Sequence, residues 1–412
     1  MNRETSETGV MMEKFFRRSA WVACAVILLA GMPSPFHLQA QEKPAAQGDV
    51  DIHKLLAKGI NFDHVINWYQ ESSELVPALG EGQLAELEGK LKESDFQQVA
   101  SLGFTHLRLN LGRAFIQQNQ KPFGLRPEGL ALLDKVVELA LKNNLGIILD
   151  MHQVPAPNIF HDRESMDAFR SMWKGLAAHY AHQSPMIVFE LLNEPAVDVL
   201  KDSSQAKEAD LERWRGIVKN LVNTVHRKDP QRYVIVTGGG WGDIAGLLRM
   251  GNLHLPRVVY TFHYYNPMFF THQGATWAGP TLQILHGIHY PIVPAEVKEW
   301  QDQAVEKNLN LWPFQQVAQG FNQDTMKADL QPVLDFAKKE GLVLYCGEFG
   351  VHKPFAPPKD RAHWIKDWVD LLNQNGVDWA MWAYHSGFDL VDEKGQPDPG
   401  VVKALGLGTP AK

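Results

Sequence analysis

The chain has 412 residues, of which 45% are hydrophobic and 21% are charged, and its formal net charge is −7. This composition is typical of a globular protein and excludes an intrinsically disordered chain. The acidic balance, with no basic run longer than two residues, excludes nucleic acid as the main partner, because phosphate binding requires clustered Lys and Arg.

The first 40 residues have the pattern of a secretory signal peptide. A basic segment, Lys14–Arg18, precedes the apolar stretch Ala20–Met32, and Ala40 offers a small residue at a cleavage point. The apolar stretch is too short to span the roughly 30 Å hydrocarbon core of a bilayer, which disfavours the alternative of a retained membrane anchor. We therefore predict a signal peptide over residues 1–40, a linker over 41–54 and a secreted or periplasmic bacterial protein without a stable membrane span.

From residue 58 onward, short apolar segments alternate with longer amphipathic ones. Eight segments have the composition of strands: Gly59–Phe62, Thr105–Asn110, Gly146–His152, Met186–Glu194, Tyr233–Gly238, Val258–Tyr265, Val343–Glu348 and Asp378–Tyr384. Between them, apolar residues recur at a helical spacing in Arg126–Asn143, Met166–Tyr180, Ala206–Arg227, Thr325–Lys339 and Ala362–Asn373. Eightfold alternation of strand and helix predicts an α/β protein, a single (β/α)₈ TIM barrel over residues 55–412.

One connection is much longer than the others. The segment Asn266–Asp324 follows the sixth strand and shows little regular pattern. Because long loops at the C-terminal face of a barrel usually shape the binding cleft, we expect this insertion to determine substrate preference. We expect no second domain and a monomeric protein.

Polar residues at the C-terminal ends of the strands are the catalytic candidates, since barrel enzymes carry their active sites there. Two of them are carboxylates: Glu194, in FELLNEP, and Glu348, in LYCGEFG. We expect the fourth strand to end at Glu194, because Pro195 cannot continue a strand ladder. Either glutamate alone could be a strand-end salt-bridge partner. Two facing carboxyls, however, are what glycosidic bond cleavage requires, one as proton donor and the other at the anomeric carbon.

The pattern resembles glycoside hydrolase family 5, the cellulase-type family of retaining barrel enzymes, over roughly residues 55–390. The motifs that carry the resemblance contain Arg108 (HLRLN), His152 (LDMHQ), Asn193 and Glu194 (LLNEP), His263 and Tyr265 (FHYYNP), Glu348 (GEFG) and Trp382 (MWAYH). The resemblance implies that Glu194 is the acid/base and Glu348 the nucleophile, and that the reaction uses no cofactor and no metal.

The other matched residues are expected to support the two carboxyls. Arg108 should lie beside Glu348 and keep it ionised, and Tyr265 should orient it. The like charge of Glu348 should raise the pKa of Glu194, so that Glu194 begins the reaction protonated. Asn193 should hydrogen-bond the 2-hydroxyl of the sugar.

Histidines and tryptophans complete the predicted site. We expect His152 and His263 to hold sugar hydroxyls or neighbouring carboxyls, and Trp382 to offer an apolar face to a sugar ring. Three further tryptophans are weaker candidates for sugar subsites, because core packing would explain them equally well: Trp68, Trp241 and Trp277.

Other barrel chemistries fit the sequence less well. A metal-dependent barrel hydrolase usually needs a His-x-His pair, which the chain lacks. A Schiff-base aldolase needs a strand that ends in Lys, and none of the eight predicted strands does. A phosphate site needs a Gly-rich turn before a helix, for which TGGGWGD is the one candidate. A non-enzymatic alternative is a carbohydrate-binding barrel without catalytic activity. Such a protein would be expected to lack Glu194, Glu348 or Arg108, and all three are present.

The preferred prediction is an endo-β-1,4-glucanase that cleaves β-glucan. A β-mannanase, a xyloglucanase and an exo-β-glucosidase are the alternatives within the family. An open cleft would favour endo action, whereas a pocket closed by the Asn266–Asp324 insertion would favour exo action.

Overall fold

The computed structural model describes residues 50–64, 81–118, 120–152, 159–160, 162–195 and 204–408. The predicted signal peptide and Trp68 lie outside these residues. Within them, no helix is long and apolar enough to cross a membrane.

Eight parallel strands form a closed barrel in chain order. They are β1 (Lys58–Phe62), β2 (His106–Leu111), β3 (Gly146–Met151), β4 (Ile187–Glu190), β5 (Val234–Thr237), β6 (Val258–Tyr264), β7 (Val343–Phe349) and β8 (Asp378–Met381). The barrel closes because β1 pairs with β8 as well as with β2. The predicted (β/α)₈ fold is therefore confirmed.

Helices precede, separate and follow the strands. In chain order they are α1 (Ile52–Leu56), α2 (Glu81–Lys90), α3 (Glu93–Leu102), α4 (Arg113–Ile116), α5 (Pro127–Lys142), α6 (Arg163–His179), α7 (Ser204–His226), α8 (Ile244–Met250), α9 (Met268–Thr271), α10 (Pro280–Gln283), α11 (Pro294–Glu306), α12 (Trp312–Gln315), α13 (Gln323–Glu340), α14 (Pro358–Gln374) and α15 (Pro399–Ala404). The outer helices pack as the periodicity predicts: in α5, Leu132, Leu133, Val136 and Ala140 are buried on one side. The short α1 begins within the last residues of the predicted linker.

The interior of the barrel is divided into an apolar layer and a polar layer. Near the N-terminal ends of the strands, inward residues such as Ile148, Val188 and Val259 pack against Leu55 and Leu56 of α1. Two residues further along β3, β4 and β6, the side chains on the same face are polar, since side chains two apart share a face. This polar layer, near the C-terminal ends of the strands, contains Asn61, Arg108, Asp150, Glu190 and Thr261, all fully buried.

The insertion after β6 contains several short helices, although its sequence shows little regular pattern. It contains α9 to α12 and a 3₁₀ helix, Thr276–Ala278. Helices of four residues are too short to show a period in the sequence. The longest, α11, buries Val297 and Ala304 and leaves most of its other residues exposed, so its apolar signal is weak.

Candidate active site

Arg108, on β2, lies in the centre of the polar layer and is fully buried. Its Nε and Nη2 donate to the two oxygens of Glu190, at 2.7 and 2.8 Å, and its Nη1 donates to Oε1 of Glu348 at 2.7 Å. Nη2 also lies 3.1 Å from Oδ2 of Asp150. Burial by itself would lower the pKa of Arg108, but the three carboxylates together raise it, so Arg108 is a permanent cation.

Glu348, on β7, is held from two sides. Oε1 accepts the hydrogen bond from Arg108, and Oε2 accepts one from the hydroxyl of Tyr265 at 2.9 Å. Burial and the negative charge of Glu348 raise the pKa of Tyr265 well above its usual range, so the phenol stays protonated and can donate. Because each oxygen has a donor, the orientation of the Glu348 carboxylate is fixed.

Glu194 lies beyond the end of β4, which corrects the predicted strand boundary. The strand ends at Glu190, where its pairing with β5 also stops. Backbone N–H groups of Leu191 and Asn193 still donate to carbonyls of neighbouring strands, at 3.2 and 3.0 Å, but they form no continuous ladder. The proline after Glu194 therefore marks the latest point at which the strand could end, not the point at which it does.

His263, on β6, contacts Glu194 directly. Its Nδ1 lies 2.7 Å from Oε1 of Glu194 and 3.6 Å from Oε2 of Glu348. Burial lowers the pKa of His263 to about 4, so the imidazole is neutral near pH 7. Burial also raises the pKa of Glu194 to about 7, although 26% of its side-chain surface is exposed at the mouth. The predicted cause of this raised pKa, the like charge of Glu348, was wrong. The largest contribution comes from burial, which disfavours the charged form of Glu194.

The two carboxyl groups lie at short range. One oxygen of Glu194, one oxygen of Glu348 and one ring nitrogen of His263 all lie within 4.8 Å of one another. Carboxyl groups in retaining glycosidases are about 5–5.5 Å apart, whereas those in inverting enzymes are about 6.5–9.5 Å apart. Among the described residues this is the one group of side chains that could surround a metal ion. Arg108 supplies a positive charge at one Glu348 oxygen and Tyr265 donates to the other, so we assign the group to carboxyl chemistry.

The remaining matched residues surround this pair. His152 Nδ1 lies 2.7 Å from Oδ2 of Asp150, and the His152 ring is stacked on Trp382 with centroids 5.2 Å apart. Burial would lower the pKa of His152, but the charge and hydrogen bond of Asp150, together with the charge of Glu348, outweigh it and raise that pKa. Asn193 accepts a hydrogen bond from Arg108 at 2.8 Å. His152 therefore holds a neighbouring carboxylate, while the sugar contacts of Trp382 and Asn193 stay predictions.

Two of the weaker tryptophan candidates are exposed. Trp241, in the turn after β5, has 54% of its surface exposed, and Trp277, in the 3₁₀ helix of the insertion, has 61%. Trp277 packs edge-on against His352, with ring centroids 4.9 Å apart. Both indoles are accessible to a polysaccharide, and their assignment to subsites stays a prediction.

Sequence reasoning missed two members of the network, Glu190 and Asn61. Asn61 accepts a hydrogen bond from Arg108 at 2.8 Å and donates to the backbone carbonyls of Gly347 and Met381, at 2.9 and 3.2 Å. Glu190 lies inside the predicted strand Met186–Glu194 and Asn61 inside Gly59–Phe62, whereas the catalytic candidates were sought at the predicted strand ends. The signal was a charged or amide side chain inside an apolar segment, which must find a partner when it is buried.

A (β/α)₈ barrel whose mouth holds two carboxyls at this spacing, one fixed by a cation and the other with a raised pKa, defines the class of barrel glycoside hydrolases. The family model described as Cellulase (glycosyl hydrolase family 5) matches residues 81–387. The chain belongs to glycosyl hydrolase family 5. The resemblance predicted from the sequence motifs is confirmed.

Relatives agree with this assignment, and a solved structure agrees with the fold. Endoglucanase C of Acetivibrio thermocellus is 29% identical over 318 residues, which cover 74% of this chain and 88% of that protein. Cellodextrinase A of Ruminococcus flavefaciens is 28% identical over 301 residues, covering 71% of this chain and 77% of that protein. The structure of a hyperthermophilic endo-beta-1,4-glucanase in complex with substrate has a TM-score of 0.66 and 22% identity, covering 86% of this chain and 98% of that chain.

We predict that Glu190→Ala lowers kcat about 10- to 100-fold with little change in KM, because Arg108 loses the partner that fixes two of its nitrogens and no longer positions Glu348. Glu190→Gln, which retains one acceptor oxygen, should lower kcat by a smaller factor. Steady-state kinetics on one soluble glucan, measured well below each variant's unfolding temperature, provide the test. Unchanged kcat in Glu190→Ala would show that Arg108 is positioned without this carboxylate.

Proposed function

We propose that this protein is an exported endo-β-1,4-glucanase that hydrolyses β-glucan by double displacement, with retention of anomeric configuration. The observation that carries the proposal is the approach of Glu194 and Glu348 to within 4.8 Å at the barrel mouth. Membership of the cellulase family and the similarity to an endoglucanase over 88% of its length support β-glucan as the substrate. The signal-peptide pattern of residues 1–40 supports export.

In the first step Glu348 attacks the anomeric carbon. A bond forms between a Glu348 oxygen and that carbon, the glycosidic bond breaks, and Glu194 gives its proton to the departing oxygen. Arg108 and Tyr265 hold Glu348 for this attack, since each donates to one of its oxygens. The raised pKa of Glu194, about 7, keeps it protonated below neutral pH.

In the second step Glu194 acts as a base. It takes a proton from water, the water oxygen attacks the anomeric carbon, and Glu348 leaves as a carboxylate. His263 can donate from Nδ1 to Glu194 at 2.7 Å, which stabilises Glu194 while it is ionised. Arg108 binds the oxygen of Asn193 and so directs its amide NH₂ away from the guanidinium, where the nitrogen lies 3.4 Å from Nε2 of His152 and can donate to a sugar hydroxyl.

The substrate and the stereochemistry are tested together. Initial rates on carboxymethylcellulose, mannan, xyloglucan and aryl glucosides should be highest on carboxymethylcellulose, with a rapid fall in viscosity that indicates internal cleavage. Proton NMR should show newly released reducing ends first as the β-anomer. Preference for mannan, xyloglucan or aryl glucosides would replace the proposed substrate by the corresponding alternative. Initial release of the α-anomer would refute double displacement.

The two carboxyl variants are predicted to differ. Glu348→Gln should lower turnover of every substrate by at least about 10⁴-fold and still bind cello-oligosaccharides in calorimetry, because it lacks the nucleophile but keeps the shape. Glu194→Ala should lose about 10²- to 10⁴-fold on glucan, yet form the glycosyl-enzyme rapidly from dinitrophenyl cellobioside, whose leaving group needs little protonation. Full activity of Glu194→Ala on glucan would contradict the assignment.

The pKa of Glu194 sets the alkaline limit of activity. Because the acid must carry a proton, kcat/KM on cello-oligosaccharides should fall as pH rises through about 7. The fall should be weaker with dinitrophenyl cellobioside, which serves as the internal control. An alkaline limb near the usual glutamate pKa of about 4.3 would show that burial does not shift this group.

A further inference from the structure

Three buried polar atoms on β5 and β6 have no part in the mechanism above, and one of them belongs to His263, which contacts Glu194. They are Nε2 of His263 and the Oγ1 atoms of Thr237 and Thr261, and within the described residues none of them has a hydrogen-bond partner. The three residues are at most 5% exposed. Buried polar atoms are rarely unpaired, so three of them in one region indicate a bound polar ligand.

The fold brings these atoms together. Thr237 on β5 is paired in register with Thr261 on β6, and His263 follows Thr261 by two residues. A β-carbon placed on Gly347 would lie 2.7 Å from Oγ1 of Thr261 and 3.2 Å from Nε2 of His263. A β-carbon on Gly242 would lie 3.4 Å from Oγ1 of Thr237 and 3.5 Å from Nδ1 of His263. The backbone of Gly347 therefore lies close to Thr261 and to Nε2 of His263, and the backbone of Gly242 lies close to Thr237 and to the other ring nitrogen of His263.

We propose that Thr237 and Thr261 bind one water molecule against Nε2 of His263, and that this water keeps the imidazole proton on Nδ1, toward Glu194. The proposal rests on the acid/base assignment of Glu194. It makes the two threonines positioning residues, which act on the reaction through His263.

A count of donors explains the choice of tautomer. Water accepts two hydrogen bonds. If the imidazole proton is on Nδ1, both threonine hydroxyls donate to the water and the water donates to Nε2, so every buried protein group is paired. If the proton is on Nε2, three protein donors compete for two lone pairs, and one threonine hydroxyl stays unpaired. A buried unpaired donor is costly, so the Nδ1-protonated form is favoured.

The tautomer decides where Glu194 carries its proton. With the imidazole proton on Nδ1, His263 donates to Oε1 of Glu194 across 2.7 Å, and the acid proton must reside on Oε2. With the other tautomer, Nδ1 would accept the acid proton from Oε1 and draw it toward His263. The threonine–water site therefore keeps the proton on the oxygen that is not bound to His263, where it is available to the leaving group.

The first test is ¹⁵N NMR of the full-length protein, with the His263 signals assigned by comparison with His263→Gln. The wild type should show His263 protonated on Nδ1 alone. Thr261→Val keeps the shape but removes one donor, so both tautomers become satisfiable and a mixture should appear. Thr261→Ser, the matched control, should restore the single form. Protonation on Nε2 in the wild type, or an unchanged tautomer in Thr261→Val, would overturn the proposal.

The second test is kinetic. Thr261→Val should lower kcat/KM on cello-oligosaccharides about 3- to 10-fold and leave dinitrophenyl cellobioside nearly unaffected, because the acid acts on the first substrate alone. Equal losses on both substrates would indicate a general structural defect and refute the positioning role. If Glu194→Ala keeps full glucan activity, the acid assignment fails, whereas the tautomer readout still reports on the water site by itself.

Discussion

The active site depends on one buried cation that faces three carboxylates. A guanidinium in the barrel interior loses its hydration, and only well-formed ion pairs offset that loss. Arg108 makes such pairs with Glu190, Glu348 and Asp150 because its planar group donates in several fixed directions, which the single ammonium of a lysine does not do. Since the cation donates to Glu348 across the barrel interior, it also sets the position of the carboxylate that we assign as the nucleophile.

One positive charge cannot neutralise three negative ones, and the pKa values of Glu190 and Asp150 shift in opposite directions. Burial raises the pKa of Glu190 to about 7, despite the opposing charge of Arg108. For Asp150 burial acts in the same direction, but Arg108 and His152 outweigh it and lower the pKa. A proton shared within this cluster therefore resides on Glu190 more readily than on Asp150, which leaves the histidine beside Asp150 favoured in its charged form.

The barrel gives its two mouth carboxyls different surroundings. Glu348 receives donors at both oxygens, whereas Glu194 lies against a neutral imidazole and surrounding protein. Below them, α1 and the apolar layer close the barrel at the N-terminal side. Acid/base glycoside cleavage requires such a pair, with one carboxyl held in position for attack and the other able to keep a proton.

The sequence by itself determined the strand order, the barrel and the candidate carboxyls, because alternating apolar segments and strand-end polar residues are local signals. It did not determine that β4 ends at Glu190, since the end depends on where β5 stops pairing. It also could not show that Glu190 and Asn61 meet Arg108, because they come from three different strands whose inward faces converge only when the barrel closes. The cause of the Glu194 pKa shift was likewise decided by tertiary packing, since burial is a property of the folded surroundings and not of the motif.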